Sequence, residues 1–327
     1  MADQQSLNAT FFAFRKRERG GVLLRATLAY LVIAFAINGV FIYLNWQAFI
    51  DYLSWSMNMS QAAETADPTD PSALFASMMP PASVMALAPA YTLITIVSYF
   101  LLAAYEAACL RWMIRGEVKG FFGLALDADT LRVYFTYWLW AFLFIAVYIV
   151  ALFVLLGFGV GVAMSTGDGA DTGSVGASVL IGFLMVIALF AALIYFAVRF
   201  SPAAATSIAK RRFSFFEAWT VTKGRLWALL GSFVLLFLMY FVGLIILVTI
   251  AGLAMGLGMF GLVQALGEPQ SAEQIFALFA SPAVWAPAAI CYGLMIIGAF
   301  LFYIALFGVN ARAAQAALED GRIQAAG

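Results

Sequence analysis

Along this chain the apolar positions neither alternate nor recur every third or fourth residue; they run on for 20 residues and more. About 20 apolar residues is the length a helix needs to cross a hydrocarbon core of about 30 Å. Six stretches reach it: Ala26–Trp46, Leu87–Leu110, Val133–Met164, Val179–Val198, Leu226–Leu266 and Val284–Val309. Backbone amides find no water there, so each stretch is predicted to be a helix and the fold to be all-α and polytopic. The first run follows the basic cluster Arg15-Lys16-Arg17-Glu18-Arg19, as a signal peptide would. It is too long for a signal sequence and no small-residue cleavage site follows, so it reads as an uncleaved span.

The polar residues between the runs set the orientation. Basic residues fall in four blocks: Arg15 to Arg25, Arg111 to Arg132, Arg199 to Arg225, and Arg312 with Arg322. The intervening segments 47–86, 165–178 and 267–283 hold no lysine or arginine, but carry Asp51, Glu64, Asp67, Asp70, Asp168, Asp171, Glu268 and Glu273. By side, that is 17 basic and 9 acidic residues against 0 basic and 8 acidic. The positive-inside rule then predicts both termini in the cytoplasm and a multi-pass membrane protein. Leu226–Leu266 has 41 residues, about 60 Å as a helix. Splitting it into two spans would put Arg312 and Arg322 outside, so one tilted span is expected, running into a glycine-broken outer segment from Gly252 to Gly261. The third run ends alike, in Gly157-Phe-Gly159-Val-Gly161.

Composition narrows the function. Of the 327 residues, 65% are apolar and 10% charged, with a mean hydropathy of +0.98, which excludes an ordinary soluble globule. Net charge is zero, so no nucleic-acid partner is expected. The absence of histidine removes histidine-based catalysis, histidine-ligated metals and histidine proton relays. Cys109 and Cys291 lie in apolar runs and suggest neither a disulfide framework nor a metal site. No cofactor and no metal is expected, and the chain reads as non-catalytic.

An internal repeat is expected from matches separated by 204 residues. Phe11-Phe12 falls on Phe215-Phe216, Gly20 on Gly224, Gly39 on Gly243, and Ala73–Ser77 on the identical Ala277–Ser281. Phe121-Phe122 opens the middle portion in a looser version of the same pattern. The six spans are therefore predicted as three hairpins, over about 8–113, 117–200 and 211–310 of a single membrane domain. Each begins with an interfacial amphipathic segment on the same side, which makes them parallel repeats about the membrane normal.

Several motifs dissolve on inspection. Gly256-x-Gly258-x-x-Gly261 follows no strand and opens no βαβ unit, so the dinucleotide reading is discarded in favour of close helix packing. Ser207-x-x-Lys210 has no companion motif of a serine acylase. Asp168 and Asp171 read as a solvated turn rather than a cation site. Phe11–Arg19, Lys119–Arg132 and Lys210–Arg225 mix aromatic and basic residues, as segments lying at a headgroup interface do. Topology determination and anchoring account for them; a lipid-headgroup site is the functional alternative.

Glu106 is the one acid inside a predicted span. It lies five residues before Arg111, about 7 Å deeper along the helix. Five residues of helix turn Arg111 off the Glu106 face, so Arg25, Arg199 or Arg225 suits it better as a partner. Glu106, Arg25, Arg111, Arg199 and Arg225 form the candidate cluster for an ion pair or a lipid headgroup. Asn38 and Gln264 are expected to bond between helices.

Glu106-Ala-Ala-Cys-Leu-Arg111-Trp-Met-Ile-Arg115-Gly-Glu117, Phe121-Phe122 through Arg132, and Phe216 through Trp227 resemble an uncharacterised family of bacterial six-span inner-membrane proteins. The pattern Trp219-x-x-Thr222-x-Gly224-x-x-Trp227 is also similar to the membrane domain found on some glycerophosphodiester phosphodiesterases. The catalytic barrel of those enzymes, with its acidic metal ligands and histidines, has no counterpart in these residues, so their hydrolytic activity is not implied. The expected role is lipid-associated: membrane organisation, or binding and moving a lipid or small amphiphile. Anionic headgroups at the cytoplasmic face are the expected partners, with a membrane protein or a second copy of the chain as further candidates. The alternatives are a small-solute transporter or channel, and an accessory subunit of a membrane complex.

Overall fold

The computed structural model describes residues 9–15, 21–65, 79–165, 172–266 and 281–324. These form helices and no strand: α1 Phe12–Arg15, α2 Val22–Leu44, α3 Trp46–Thr65, α4 Ala82–Met85, α5 Ala88–Arg115, α6 Ala128–Ser165, α7 Thr172–Phe200, α8 Ala203–Ala209, α9 Ala218–Thr222, α10 Leu226–Leu266 and α11 Pro282–Glu319. Among the described residues six spans are long and apolar enough to cross a membrane: Val22–Leu44, Ala82–Arg115, Ala128–Phe158, Leu180–Ala209, Leu226–Gly261 and Pro282–Glu319. Each overlaps one of the six sequence runs over most of its length. In four of them 11% or less of the most apolar stretch is buried against protein. That much apolar surface turned outward is stable only against acyl chains.

The ends of these helices are set by local chemistry. Asp127 caps α6, its Oδ1 accepting from the amides of Asp129 at 3.1 Å and Thr130 at 3.2 Å. Gly321, at φ +69°, turns the chain out of α11 so that the Arg322 amide reaches back to the Ala317 carbonyl at 2.9 Å.

The long glycine-bearing runs depart from expectation. α10 is one helix through Gly252, Gly256, Gly258 and Gly261, and α6 likewise continues through Gly157, Gly159 and Gly161. A glycine costs a helix about 1 kcal/mol, whereas an unpaired backbone group in hydrocarbon costs several, so the ladder persists. Residues 47–65, expected in an outer loop, belong to the helix α3. Trp46, Phe49, Ile50 and Leu53 fall three and four residues apart there, which gives the helix one apolar stripe, and Phe49 packs edge-on to Phe41 of α2 at 6.1 Å.

α2 and α10 begin at Val22 and Leu226, the same 204 residues apart as the sequence matches, but α2 stops at Leu44 while α10 runs on to Leu266. Ala73–Ser77 and most of Ala277–Ser281 lie outside the described residues, as do Asp67, Asp70, Asp168, Asp171, Glu268 and Glu273.

The chain divides into two compact units. One comprises residues 20–108 and 118–134. In it α2 meets α5 where Thr27 and Tyr30 contact the buried Tyr105, and Ala26, Ala29, Ala103 and Ala104 are buried too. Thr27 donates its proton to the Leu23 carbonyl at 2.8 Å, so at 2.8 Å the Tyr105 hydroxyl donates to Thr27. Between α5 and α6 a knuckle at 120–124 packs Gly123 near Ala26 and presents the rings of Phe121 and Phe122, 4.5 Å apart and exposed. Gly120 is required there: at φ +76° any Cβ would sit 2.1 Å from the Leu124 carbonyl oxygen.

The other unit comprises residues 1–19, 109–117 and 135–327. α10 and α11 run antiparallel along their length, with Phe237 5.1 Å from Phe302 at one end and Gly258 against the Ala283 backbone at the other. α6 and α7 pair likewise, Trp140 meeting Phe200 and Phe158 closing over Gly182. The well-packed core is gathered at the basic helix ends. All of α8 is buried, as are Ala311, Ala313, Ala314, Ala316 and Ala317 of α11. Small side chains let these short elements approach closely, α1 resting on α11 where Ala13 faces Gly308.

Candidate functional site at the basic helix ends

In the larger unit the basic ends of the helices are laced by carboxylates, three of them each set between two cations. Glu117 takes Arg115 at 3.2 Å and Arg211 at 2.7 Å. Glu217 takes Lys210, and Arg212 at 2.8 Å. Asp320 takes Arg225 at 2.9 Å, and Arg322. Arg312 holds Glu319 at 2.9 Å. Backbone acceptors complete the lacing: Arg115 donates to the Ile208 carbonyl at 3.0 Å, Arg322 to that of Lys223 at 2.7 Å, and Gln315 to that of Met113 at 2.8 Å. Because these bonds join α5, α8, α9, α10 and α11, they lock short connecting elements that have little apolar area of their own.

The electrostatics follow from this pairing. The hydrogen bond from Arg322 and the charge of Arg225 hold the Asp320 carboxyl below its ordinary value. Burial alone would raise Glu217, but Lys210 and Arg212 outweigh it and hold that carboxyl below its ordinary value as well. Burial, aided by the charges of Arg322 and Arg312, lowers the Arg225 guanidinium, and Asp320 counters only in part.

Arg199 stands apart from this network. Its guanidinium lies over the rings of Trp219, at 4.9 Å, and Tyr195, at 5.2 Å. Its Nε donates to the Tyr195 hydroxyl at 3.3 Å and its Nη1 to the Thr222 hydroxyl at 3.4 Å. Trp219 and Thr222 are three residues apart on α9, so one face of that short helix presents both to Arg199. The Trp-x-x-Thr of the sequence pattern thus has a structural meaning: it is a cradle for an arginine 20 residues upstream. Trp227, the last residue of the pattern, is exposed.

The sequence-predicted cluster is distributed as follows. Glu106 and Arg25 belong to the smaller unit, the first buried and the second exposed. Arg111, Arg199 and Arg225 belong to the larger unit, where Arg111 is completely buried, Arg199 lies on Trp219 and Arg225 pairs with Asp320. Glu117, Glu217 and Asp320 were not singled out from the sequence. The signal was there: each acid falls within a few residues of the basic blocks, though nothing local says which cation across the fold it meets. Asn38, expected to bond between helices, donates instead to the Ala34 carbonyl of its own helix at 2.8 Å and is exposed, and Gln264 is exposed too.

Two apolar cavities adjoin these ends. One, of about 420 Å³, lies between α6 and α7 and is walled by Trp140, Leu143, Leu193, Phe196, Phe200 and Phe216. The other, of about 580 Å³, is a groove between α10 and α11, lined by Tyr240, Gly243, Leu247 and Phe302 and reached at the basic end by Phe11 and Phe14. Both volumes fall within the range of about 300–1,000 Å³ common for small-molecule sites. Among the described residues no group of three or more histidine, cysteine, aspartate or glutamate side chains is placed to hold a metal ion.

Long outward-apolar helices, six of them able to span a membrane among the described residues, define a multi-pass all-α membrane protein. Compared with models of known families, with characterised proteins and with solved structures, the chain matches none.

Proposed function

We propose that this chain is a non-catalytic, lipid-associated protein of a bacterial inner membrane, with both termini cytoplasmic, that holds or moves a lipid or a small amphiphile. The observation that carries the reading is the groove of about 580 Å³ between α10 and α11. It is apolar along the spans, and at the basic end it meets Phe11 and Phe14, the second followed in the chain by the exposed Arg15. An acyl chain suits the first part and an anionic headgroup the second. The basic ends supply the sidedness, since anionic lipid in the cytoplasmic leaflet attracts lysine and arginine. A second copy of the chain or another membrane protein would add to this role rather than replace it.

The test is lipid composition. The protein is extracted in mild detergent, washed through an ion-exchange column, and its retained lipids are quantified by mass spectrometry beside those of the parent membrane. Retention of anionic lipid at one or more molecules per chain, enriched over the membrane, supports the proposal. Retained lipid that mirrors the bulk and washes off completely overturns it.

A further inference from the structure

We propose that Arg199, seated on Trp219, is the headgroup anchor of a specific anionic-phospholipid site whose acyl chain occupies the cavity between α6 and α7. This deepens the lipid-associated reading and rests on it.

The first argument is charge. Arg199 lies within the span Leu180–Ala209, where a lone cation is costly and calls for an opposite charge. In the same unit Arg211 meets Glu117, Lys210 meets Glu217 and Arg225 meets Asp320. Arg199 has no carboxylate partner among the described residues; its polar contacts are two neutral hydroxyls at 3.3 and 3.4 Å. The fold has therefore placed a cation at the end of a membrane helix without neutralising it.

The second argument is geometry. A guanidinium has five N–H donors in one plane, and stacking on a ring leaves that plane open at its edge. Two donors serve Tyr195 and Thr222, so the others remain for a two-point bond to a phosphate, the pairing for which arginine is better shaped than lysine. Tyr195 and Trp219 fix the side chain before any ligand arrives, which lowers the ordering cost of binding.

The third argument is the neighbouring cavity. Phe196 and Phe200, which wall the space of about 420 Å³, flank Arg199 on α7. Trp219 contacts both rings, at 6.3 and 5.8 Å between centroids, so a single indole joins the arginine to the cavity wall. A ligand that satisfies both features carries a phosphate anion at one end and an extended apolar chain at the other. A free phosphate would satisfy the arginine alone.

The experiment uses the full chain in micelles doped with phosphatidylglycerol, phosphatidylcholine or inorganic phosphate, read by native mass spectrometry. The wild type should bind one phosphatidylglycerol at least about tenfold more tightly than phosphatidylcholine, and millimolar inorganic phosphate should not displace it. Arg199→Gln should weaken that molecule about tenfold or more, and Arg199→Lys by less, because charge survives while the two-point bond does not. Ala192→Phe places a ring in the cavity with Arg199 intact, and should weaken phosphatidylglycerol to a similar extent. The proposal is overturned if Ala192→Phe and Arg199→Lys both bind phosphatidylglycerol as the wild type does. It is also overturned if inorganic phosphate competes fully, which would make the site a simple anion site. In either event lipid retained elsewhere on the wild type would leave the broader reading standing, whereas no retained lipid at all would remove both.

Discussion

Gly308→Ala tests how the short α1 is held against α11. A Cβ built on Gly308 would stand 2.8 Å from the Ala13 Cβ and 2.9 Å from the Ala13 amide nitrogen, closer than real contacts allow. One of the two atoms is backbone, so α1 itself has to move. Alanine in a helix interior gains about 1 kcal/mol over glycine. Against this stand about 1–3 kcal/mol for forcing an extra methyl into a packed contact, and about 1 kcal/mol for the hydrogen bond from Thr10 to Ser232, at 3.1 Å, that the shift would break. The net loss in α1 docking is about 1–3 kcal/mol, a factor of roughly 5–150 in the fraction undocked. Ala9, buried to 1% exposure just before α1, reports the motion. With Cys109 and Cys291 replaced by alanine, Ala9→Cys should react with a thiol reagent about 5–150 times faster when Gly308→Ala is added. Gly293→Ala on the same helix meets nothing within 4 Å and serves as the control, with an unchanged labelling rate. Equal rates for Gly308→Ala and Gly293→Ala would refute the reasoning.

Glu117→Gln leaves Arg115 and Arg211 facing each other without their shared carboxylate, and Arg115 is mostly buried; thermal unfolding in detergent should report a loss of about 1–3 kcal/mol. Glu319→Gln, at a pair whose acid is 59% exposed, should change stability by less than about 1 kcal/mol, and an equal effect of the two would contradict the burial argument. Glu217 and Asp320 titrate below their ordinary 4.5 and 3.8. A carboxyl lowered in the fold stabilises it above the unfolded value and loses that contribution as pH falls through the folded value. Unfolding temperature should accordingly hold from pH 7 to 5 and drop below about 4, the drop shrinking in Glu217→Gln with Asp320→Asn; a profile identical in the double variant would sink the assignment. For topology, single cysteines at Asp67, Asp168 and Glu273 should react with an impermeant reagent in intact cells, and those at Lys119, Lys210 and Arg322 should not. Outside labelling at Arg322 would overturn the proposed orientation.

The six spans were legible in the sequence because an apolar run of some 20 residues leaves the backbone one way to bond itself in hydrocarbon, whatever surrounds it. The separation of basic from acidic segments was legible for the same reason: it is a property of the chain's order, not of its packing. What needed the fold is whatever depends on contacts between distant residues or on small differences in energy. The glycines of Gly252–Gly261 suggested a break, and α10 passes through them because the helix ladder outweighs their modest cost. α3 is a further helix where a loop was expected, and only the fold shows its Phe49 against Phe41 of α2. Glu117 lies 94 residues from Arg211, and Asp320 95 from Arg225; no local pattern distinguishes those partners from other cations in the basic blocks. Trp219 and Thr222 stood in the sequence as a spaced pair, and the folding of α9 beside the end of α7 is what made them a seat for Arg199. A single helix fixes its own ladder, but which charges and rings meet is fixed only when helices pack, because those pairings are short-ranged and every candidate partner carries the same chemistry.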